Sequence, residues 1–496
     1  MLVAVLILGA RMAYAESWMF GSAISVRETA TNNVDLQPSE SRRSDLVTEL
    51  TPSVRFGEKG ARTTLNGTIT VPFVVYARSG DKNAAYPSAN LLGDVKLIDD
   101  FFHVEGSVLV AQQYFNPLGA QPSGFENITQ NRYRSTTYRV SPYVRGATPG
   151  GTRYELRESN VWTELGGAPT GTGNSRYTQW TGKAANTEST FGWQANVEHT
   201  DIYFNNADSI RTELARVIGV YTVDPRLRLD LRGGYEQNHF ALEDVGGPIY
   251  GAGFEWRPTQ RTKVLGNWEH RFFGAAYEFS FDHRMALSVW NLSVSRNITT
   301  FPQQLASLPV GGDVATLLNG LFLATIPDPV ERQQTIDQFI RDRGLPSVLS
   351  SALNLYSQQI LLQESQTASV GLVGVRNTVL LTVFNVRSEP IGASGNSPTP
   401  LLSTGQNSRQ TGVSLTWSHK LSPSLVLDAS IQHFRTVANA PAEGRTNQSS
   451  GRLMLTSPLS PKTSMFAGVR YQTLSSDVAT DYNEAAAFIG VTHTFR

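Results

Sequence analysis

Apolar and polar residues alternate with a period of two in stretches of about 10 to 14 residues, from near Trp18 almost to the C-terminus. Leu65, Ile69, Val71, Phe73 and Val75 oppose Asn66, Thr68 and Thr70. Phe191, Trp193, Ala195 and Val197 oppose Gln194, Asn196 and Glu198. Leu227, Leu229, Leu231 and Tyr235 oppose Arg226, Arg228, Asp230, Arg232 and Glu236. Tyr250, Ala252, Phe254 and Trp256 oppose Glu255 and Arg257, while Val413, Leu415 and Trp417 oppose Ser414, Thr416 and Ser418. Successive strand residues point to opposite faces, so each segment is a strand with one oily and one polar side. In the last strand, Glu484 to Arg496, Ile489, Val491 and Phe495 share the oily face and Phe488 interrupts the polar one.

Soluble sandwiches also alternate, but three features separate this chain from them. Full charges of both signs sit at mid-strand on the polar face. The strands exceed the roughly 5–6 residues usual in soluble sheets. Short turns alternate with long connections, the pattern of outer-membrane barrels. The short ones are Asp99-Asp100, Val223 to Pro225, Arg257 to Gln260, Lys420 to Pro423 and Ser457 to Pro461. The long ones are 28–44, 115–132, 163–174, 388–407 and 437–447. The fold class is therefore all-β: one large antiparallel transmembrane β-barrel of about 22 strands, with 18–24 as the range the turns allow.

Composition agrees. Apolar residues are 40% of the chain and mean hydropathy is −0.23, as expected when lipid-facing and lumen-facing residues alternate. After residue 20 nothing approaches the ~20 continuous apolar residues of a spanning helix. The 42 basic and 42 acidic residues cancel, so no global field favours nucleic acid. Cysteine is absent, which excludes disulfides, thiolate metal sites and a thiol nucleophile. Trp18, Trp162, Trp193, Trp256, Trp268, Trp290 and Trp417 mostly fall on apolar faces near strand ends, suiting an interfacial girdle.

Two segments depart from alternation. Leu2 to Ala10 is a short apolar run, and Ala13-Tyr14-Ala15 before Glu16 fits a cleavage site, so residues 1–15 read as a signal peptide and 16–496 as the barrel. The competing reading of that run is a buried first strand. Arg11 follows the run instead of preceding it, which allows a start upstream of Met1. Between Thr299 and Tyr356 the period becomes helical. Asp328 reads as an N-cap, Pro329 as the first helical residue and Glu331 as the partner that reaches back. Ile336, Phe339 and Ile340 form the apolar stripe, and the helix stops at Gly344. Leu317, Leu318, Leu321 and Phe322 predict a shorter helix before it. This insertion, 299–356, replaces a long-side loop and acts as plug or cap.

The run Leu91 to Tyr114 (LLGDVKLIDDFFHVEGSVLVAQQY), followed by Asn116 to Ala120 and Tyr138 to Tyr143, resembles the PEP-CTERM system-associated outer-membrane β-barrel family. Tyr154 to Arg157, Gly233 to Glu236, His270 to Gly274 and Asp328 to Gln333 follow in the same order. The last strand is also similar to the signal by which such barrels are recognised for assembly, except that Arg496 follows the terminal aromatic. The resemblance implies a porin-like barrel of the Gram-negative outer membrane, encoded alongside exopolysaccharide and PEP-CTERM sorting genes, with no enzymatic activity. It implies outer-membrane lipids, the β-barrel assembly machinery and exopolysaccharide export components as partners.

The residues themselves offer no catalytic or metal constellation and call for no cofactor. No histidine pair has zinc-ligand spacing. His239, beside Glu236 and Asp244, is the one histidine in a setting worth testing for catalysis. The inward-parity charges are lumen-lining candidates: Arg139, Arg145, Arg153, Arg157, Arg226, Arg228, Arg232, Arg257, Lys263, Arg271 and Arg470, against Glu155, Glu198, Asp230, Glu236, Glu255, Glu269 and Asp428. Arginine outnumbers acid here, which predicts a weak anion preference unless the charges pair across strands. The leading expectation is a passive or gated channel of unknown solute. The alternatives are a non-conducting scaffold and an exopolysaccharide secretion or attachment barrel, for which Tyr143, Phe466 and Phe488 are the only aromatic lining. A TonB-dependent receptor is disfavoured because residues 16–45 are too short for its plug domain.

Overall fold

The structure is a computed structural model that describes residues 17–168, 172–205, 207–240, 243–306, 313–322, 326, 332, 335–336, 357–391, 407–439 and 443–495. The signal peptide expected over 1–15 lies outside these residues. Twenty-four hydrogen-bonded segments form one antiparallel sheet, and two staves are each broken in two, leaving a ring of 22 strands. Each strand pairs with its sequence neighbours. The ring closes where Ser22–Thr31 of the first strand runs antiparallel to Ala486–Phe495 of the last.

Both breaks occur at proline. The stave expected to run unbroken from Leu65 to Val75 divides into Thr63–Thr70 and Phe73–Tyr76 around Pro72, which has no N–H for the ladder. The next stave divides into Ala84–Ala85 and Ser88–Ile98 around Pro87. Elsewhere strands run deeper into the turns than the turn residues imply. Ser457 to Ser460 belongs to the Gly444–Ser460 strand, and only Pro461 and Lys462 connect it to Thr463–Ser476. On the opposite rim some connections are equally tight: Phe204 is separated from Ala207, and Arg271 from Gly274, by two residues.

The outer face is apolar. Leu229, Leu231, Val383, Ile431, Ile489 and Val491 are all exposed there. All eight tryptophans are exposed. Trp18, Trp193, Trp256, Trp290 and Trp417 lie towards the short-turn rim, while Trp162 and Trp268 lie near the other, as two interfacial girdles would.

The inner face is packed in places. Phe488 turns inward and lies over Gly468, and Phe466 lies over Gly490 on the last strand. A Cβ added at Gly490 would come within 2.5 Å of the Val26 carbonyl oxygen across the closing seam. Near the long-loop rim Val161, Tyr177, Ile202, Phe204, Ile210 and Phe240 form a buried apolar cluster. At these strand ends apolar side chains occupy both parities.

Gly490→Ala should lower unfolding stability by ~1–3 kcal/mol through overpacking of the seam. Gly21→Ala, where an added Cβ meets nothing within 4 Å among the described residues, should be neutral. Urea titration of the folded barrel, followed by tryptophan fluorescence, measures both.

Candidate functional site

The inward side chains come together in three charged networks. The first joins the closing strands to the connection 115–131, which folds inward. Buried Arg470 donates to Glu484 at 2.6 Å and to Asn127 at 3.1 Å, and also pairs with Glu126. Arg27 donates to Glu49 at 2.6 Å and to Glu126 at 3.1 Å. Gln472 and Glu484 hold the amide of Asn127. Leu118 packs beside the Gly444–Ser460 strand, and its carbonyl accepts from Thr446 at 2.9 Å. Arg132 lies over the rings of Tyr86 and Phe125 at 4.9 and 5.1 Å.

Glu126 belongs to the connection and not to a spanning strand. Burial pushes its carboxyl up, but Arg27 and Arg470 outweigh burial and hold it down at about 2. Because this lies below its ordinary value of 4.5, the latch is fully present above 4.5 and is lost as pH falls through about 2.

The second network occupies the wall opposite. Arg271 donates to buried Glu236 at 3.0 Å and to Asn297 at 2.7 Å, while the backbone N–H of Phe272 donates to Glu236 at 3.0 Å. Arg232 pairs with Asp230 at 2.5 Å and with Glu269 at 3.3 Å, and Arg216 pairs with Glu269 at 3.0 Å. In the third network Arg139 donates to Glu105 at 2.8 Å, and Arg157 pairs with Glu155 at 3.1 Å. Tyr143 donates to Asp94 at 2.9 Å, stacks on buried His103 at 4.8 Å and lies under Arg157 at 3.9 Å.

Most of the candidate lumen residues thus face inward, but bound to partners. Arg139, Asp230, Arg232, Glu236, Glu269, Arg271 and Arg470 are in the networks. Glu255 pairs with Arg257 at 2.6 Å near the short-turn rim, and Asp428 is buried on the inner parity. Arg226 lies outside the strands, in the turn after Asp224. Arg145, Arg228 and Lys263 face inward towards the same rim, and Lys263 stands opposite Asp282. The surplus of arginine over acid narrows: Glu49, Asp94, Glu105, Glu126 and Glu484 answer the arginines, while Arg27, Arg216 and Arg452 join them. Glu126 escapes a strand-by-strand reading because it comes from a loop.

The segment after Thr299 enters the lumen. The short helix Phe301–Ala306 crosses to the far wall, where Phe301 and Leu305 are buried with Tyr133. The second helix, Asp313–Phe322, packs Val314, Leu317 and Leu318 against Val289 and Leu380. Val289 and Leu380 are the buried neighbours of outward Trp290 and Leu381, so this helix lies inside the ring, near the short-turn rim. Ile336 is buried in the same cluster. Asp328, Pro329, Glu331, Phe339 and Ile340 lie outside the described residues.

His239 contacts Asp244 on the exposed outer face, whereas Glu236 is turned inward to Arg271, so that constellation is divided between two sides of the wall. Among the described residues no group of three or more histidine, aspartate or glutamate side chains could hold a metal ion.

No family model matches the chain, and no curated protein does. Among solved structures it is similar to OpdO of Pseudomonas aeruginosa, at 10% identity over 96% of this chain and 98% of that one, with a TM-score of 0.36. It is also similar to the siderophore receptor PirA of P. aeruginosa, at 7% identity over 96% and 80% of the two chains, with a TM-score of 0.44. The FrpB iron transporter of Neisseria meningitidis gives 9% identity over 96% and 82%, with a TM-score of 0.44. The likeness is one of barrel architecture and bears on nothing beyond it.

Glu126→Ala should free the connection 115–131 and cost ~1–3 kcal/mol, since Arg470 and Arg27 each keep one other carboxylate. Limited proteolysis should cut this connection in the variant at neutral pH, but in the parent only as pH approaches about 2.

Proposed function

We propose that this chain is a porin-like channel of the outer membrane whose wide ring is narrowed from within. The observation that carries this reading is the pair of inward elements, the latched connection 115–131 and the helices after Thr299. Barrel diameter grows with strand number, and 16–18 strands already leave an aqueous channel. A ring of 22 leaves more space than a selective pore needs, and here its own loops fill part of it. Beside Gly21 on the inner wall no atom of the described residues lies within 4 Å of an added Cβ, so the described residues leave space at that end of the first strand.

Paired charges contribute little to selectivity, because each guanidinium's field is answered nearby. Any anion preference rests on Arg145, Arg228 and Lys263 and is weak, because each stands opposite a carboxylate in the register, Glu155, Glu255 and Asp282 respectively. The polysaccharide-conduit reading loses support, since Tyr143 is committed to Asp94 and His103, and Phe466 and Phe488 are packed over glycines. A link to exopolysaccharide or PEP-CTERM surface systems is proposed on the resemblance of Leu91–Tyr114 and the runs that follow it. Outer-membrane lipids and the barrel assembly machinery are the partners this reading implies, and catalysis is no part of it.

Planar-bilayer recording tests the proposal. The parent should give small steps with a reversal potential slightly on the anion side in a salt gradient. Deletion of residues 302–355 should raise the step size severalfold. Equal steps in both proteins, strong cation selectivity, or silence in both would contradict it.

A further inference from the structure

Three arginines stand together on the outer face of neighbouring strands near the long-loop rim. Arg387 is directly opposite Arg409 in the register, and Arg435 is opposite Thr411 on the next strand. Like charges directly across a strand pair are destabilising unless something answers them. Arg387 is bonded to Glu389 and stands opposite Glu364 on its other side. Among the described residues no carboxylate pairs with Arg409 or Arg435. Elsewhere on this outer face the charges that meet are of opposite sign: Arg211 pairs with Asp201 at 2.8 Å, and His199 with Glu213 at 3.2 Å.

The arginines line a groove of about 510 Å³ with Thr411, Val437 and Asn439. Their height is set by the strands that carry them. Leu381 and Val383 are the last exposed apolar residues below Arg387, and Val413 and Leu415 hold the same place below Arg409. Ile431, also exposed, lies four residues below Arg435, about 14 Å of strand at ~3.4 Å per residue. An arginine side chain at that level reaches back to the edge of the hydrocarbon. A second groove of about 910 Å³ opens beside Ile431, walled on this face by Ala429, Gly451, Leu453, Val469 and Tyr471. It is largely apolar and lies where the acyl chains of the outer leaflet run.

We propose that Arg387, Arg409 and Arg435 bind the phosphate of an anionic lipid headgroup in the outer leaflet, with an acyl chain lying in the groove beside Ile431. Guanidinium and phosphate match in charge and in paired hydrogen-bond geometry. The apolar groove that begins at Ile431, about 14 Å of strand below Arg435 at ~3.4 Å per residue, favours a lipid over a free anion, which would leave it empty. This site is independent of whether the lumen conducts.

Native mass spectrometry of the full-length barrel, released from micelles doped with diphosphorylated lipid A, tests the site. One tightly held lipid is expected on the parent. Arg409→Gln with Arg435→Gln should raise the lipid concentration for half-occupancy about thirty-fold, since each substitution removes one positive charge from beside the phosphate. Arg211→Gln, on the same outer face, should leave it unchanged, and heat-modifiable electrophoretic mobility verifies that each variant is folded. Neither inorganic phosphate nor phosphatidylcholine should displace the lipid. Equal retention by parent and double variant, displacement by inorganic phosphate, or equal binding of phosphatidylcholine would overturn the proposal.

Discussion

The hydrogen-bond seam between the first and last strands is the constraint on which everything else depends. In a bilayer no water is present to satisfy an open sheet edge, and each orphaned backbone group costs several kcal/mol. Joining Ser22–Thr31 to Ala486–Phe495 removes both edges at once. The small residues of the last strand serve that closeness: Gly490 lets Phe466 and the backbone of Val26 approach. Once the seam is made, inside and outside are defined for every residue by parity alone.

Closure at 22 strands creates a second requirement, because so wide a ring encloses more space than side chains can fill. The chain meets it with its own connections. The carboxylate of Glu126 is delivered by a loop to arginines on strands far away in sequence, Arg27 and Arg470. Buried ion pairs of this kind are poor sources of net stability, since desolvation offsets much of the attraction. Their value lies in position: the Glu126 carboxylate meets both guanidiniums in one place only, so the loop has one seat. The helices after Thr299 use the other means, packing Leu317, Leu318 and Ile336 on inward Val289 and Leu380.

The ring, its strand number and its two rims are legible in the sequence, because period-two alternation survives any tertiary context that keeps one face in lipid. Proline is legible too, although Pro72 and Pro87 break staves that alternation alone runs through. Much less of the interior can be read. Parity says that Arg232 and Arg271 face inward but not that Asp230, Glu236 and Glu269 saturate them, which depends on register between strands. Glu126 and Asn127 carry no periodic signal at all. The apolar inner cluster of Ile202, Phe204 and Phe240 is invisible to alternation because both faces of those strand ends are oily. The outer arginines are illegible for a related reason: Arg387, Arg409 and Arg435 lie far apart in the chain and meet only through register.

The seam can be measured directly in a chain that contains no cysteine. Val26 and Val491 stand directly opposite one another across it, so Val26→Cys with Val491→Cys should form an intramolecular disulfide in assembled barrels. Pairing Val26→Cys with Phe495→Cys, which sits four residues out of register, should give none. Cross-linking of the displaced pair, or of neither pair in folded protein, would contradict the closed ring.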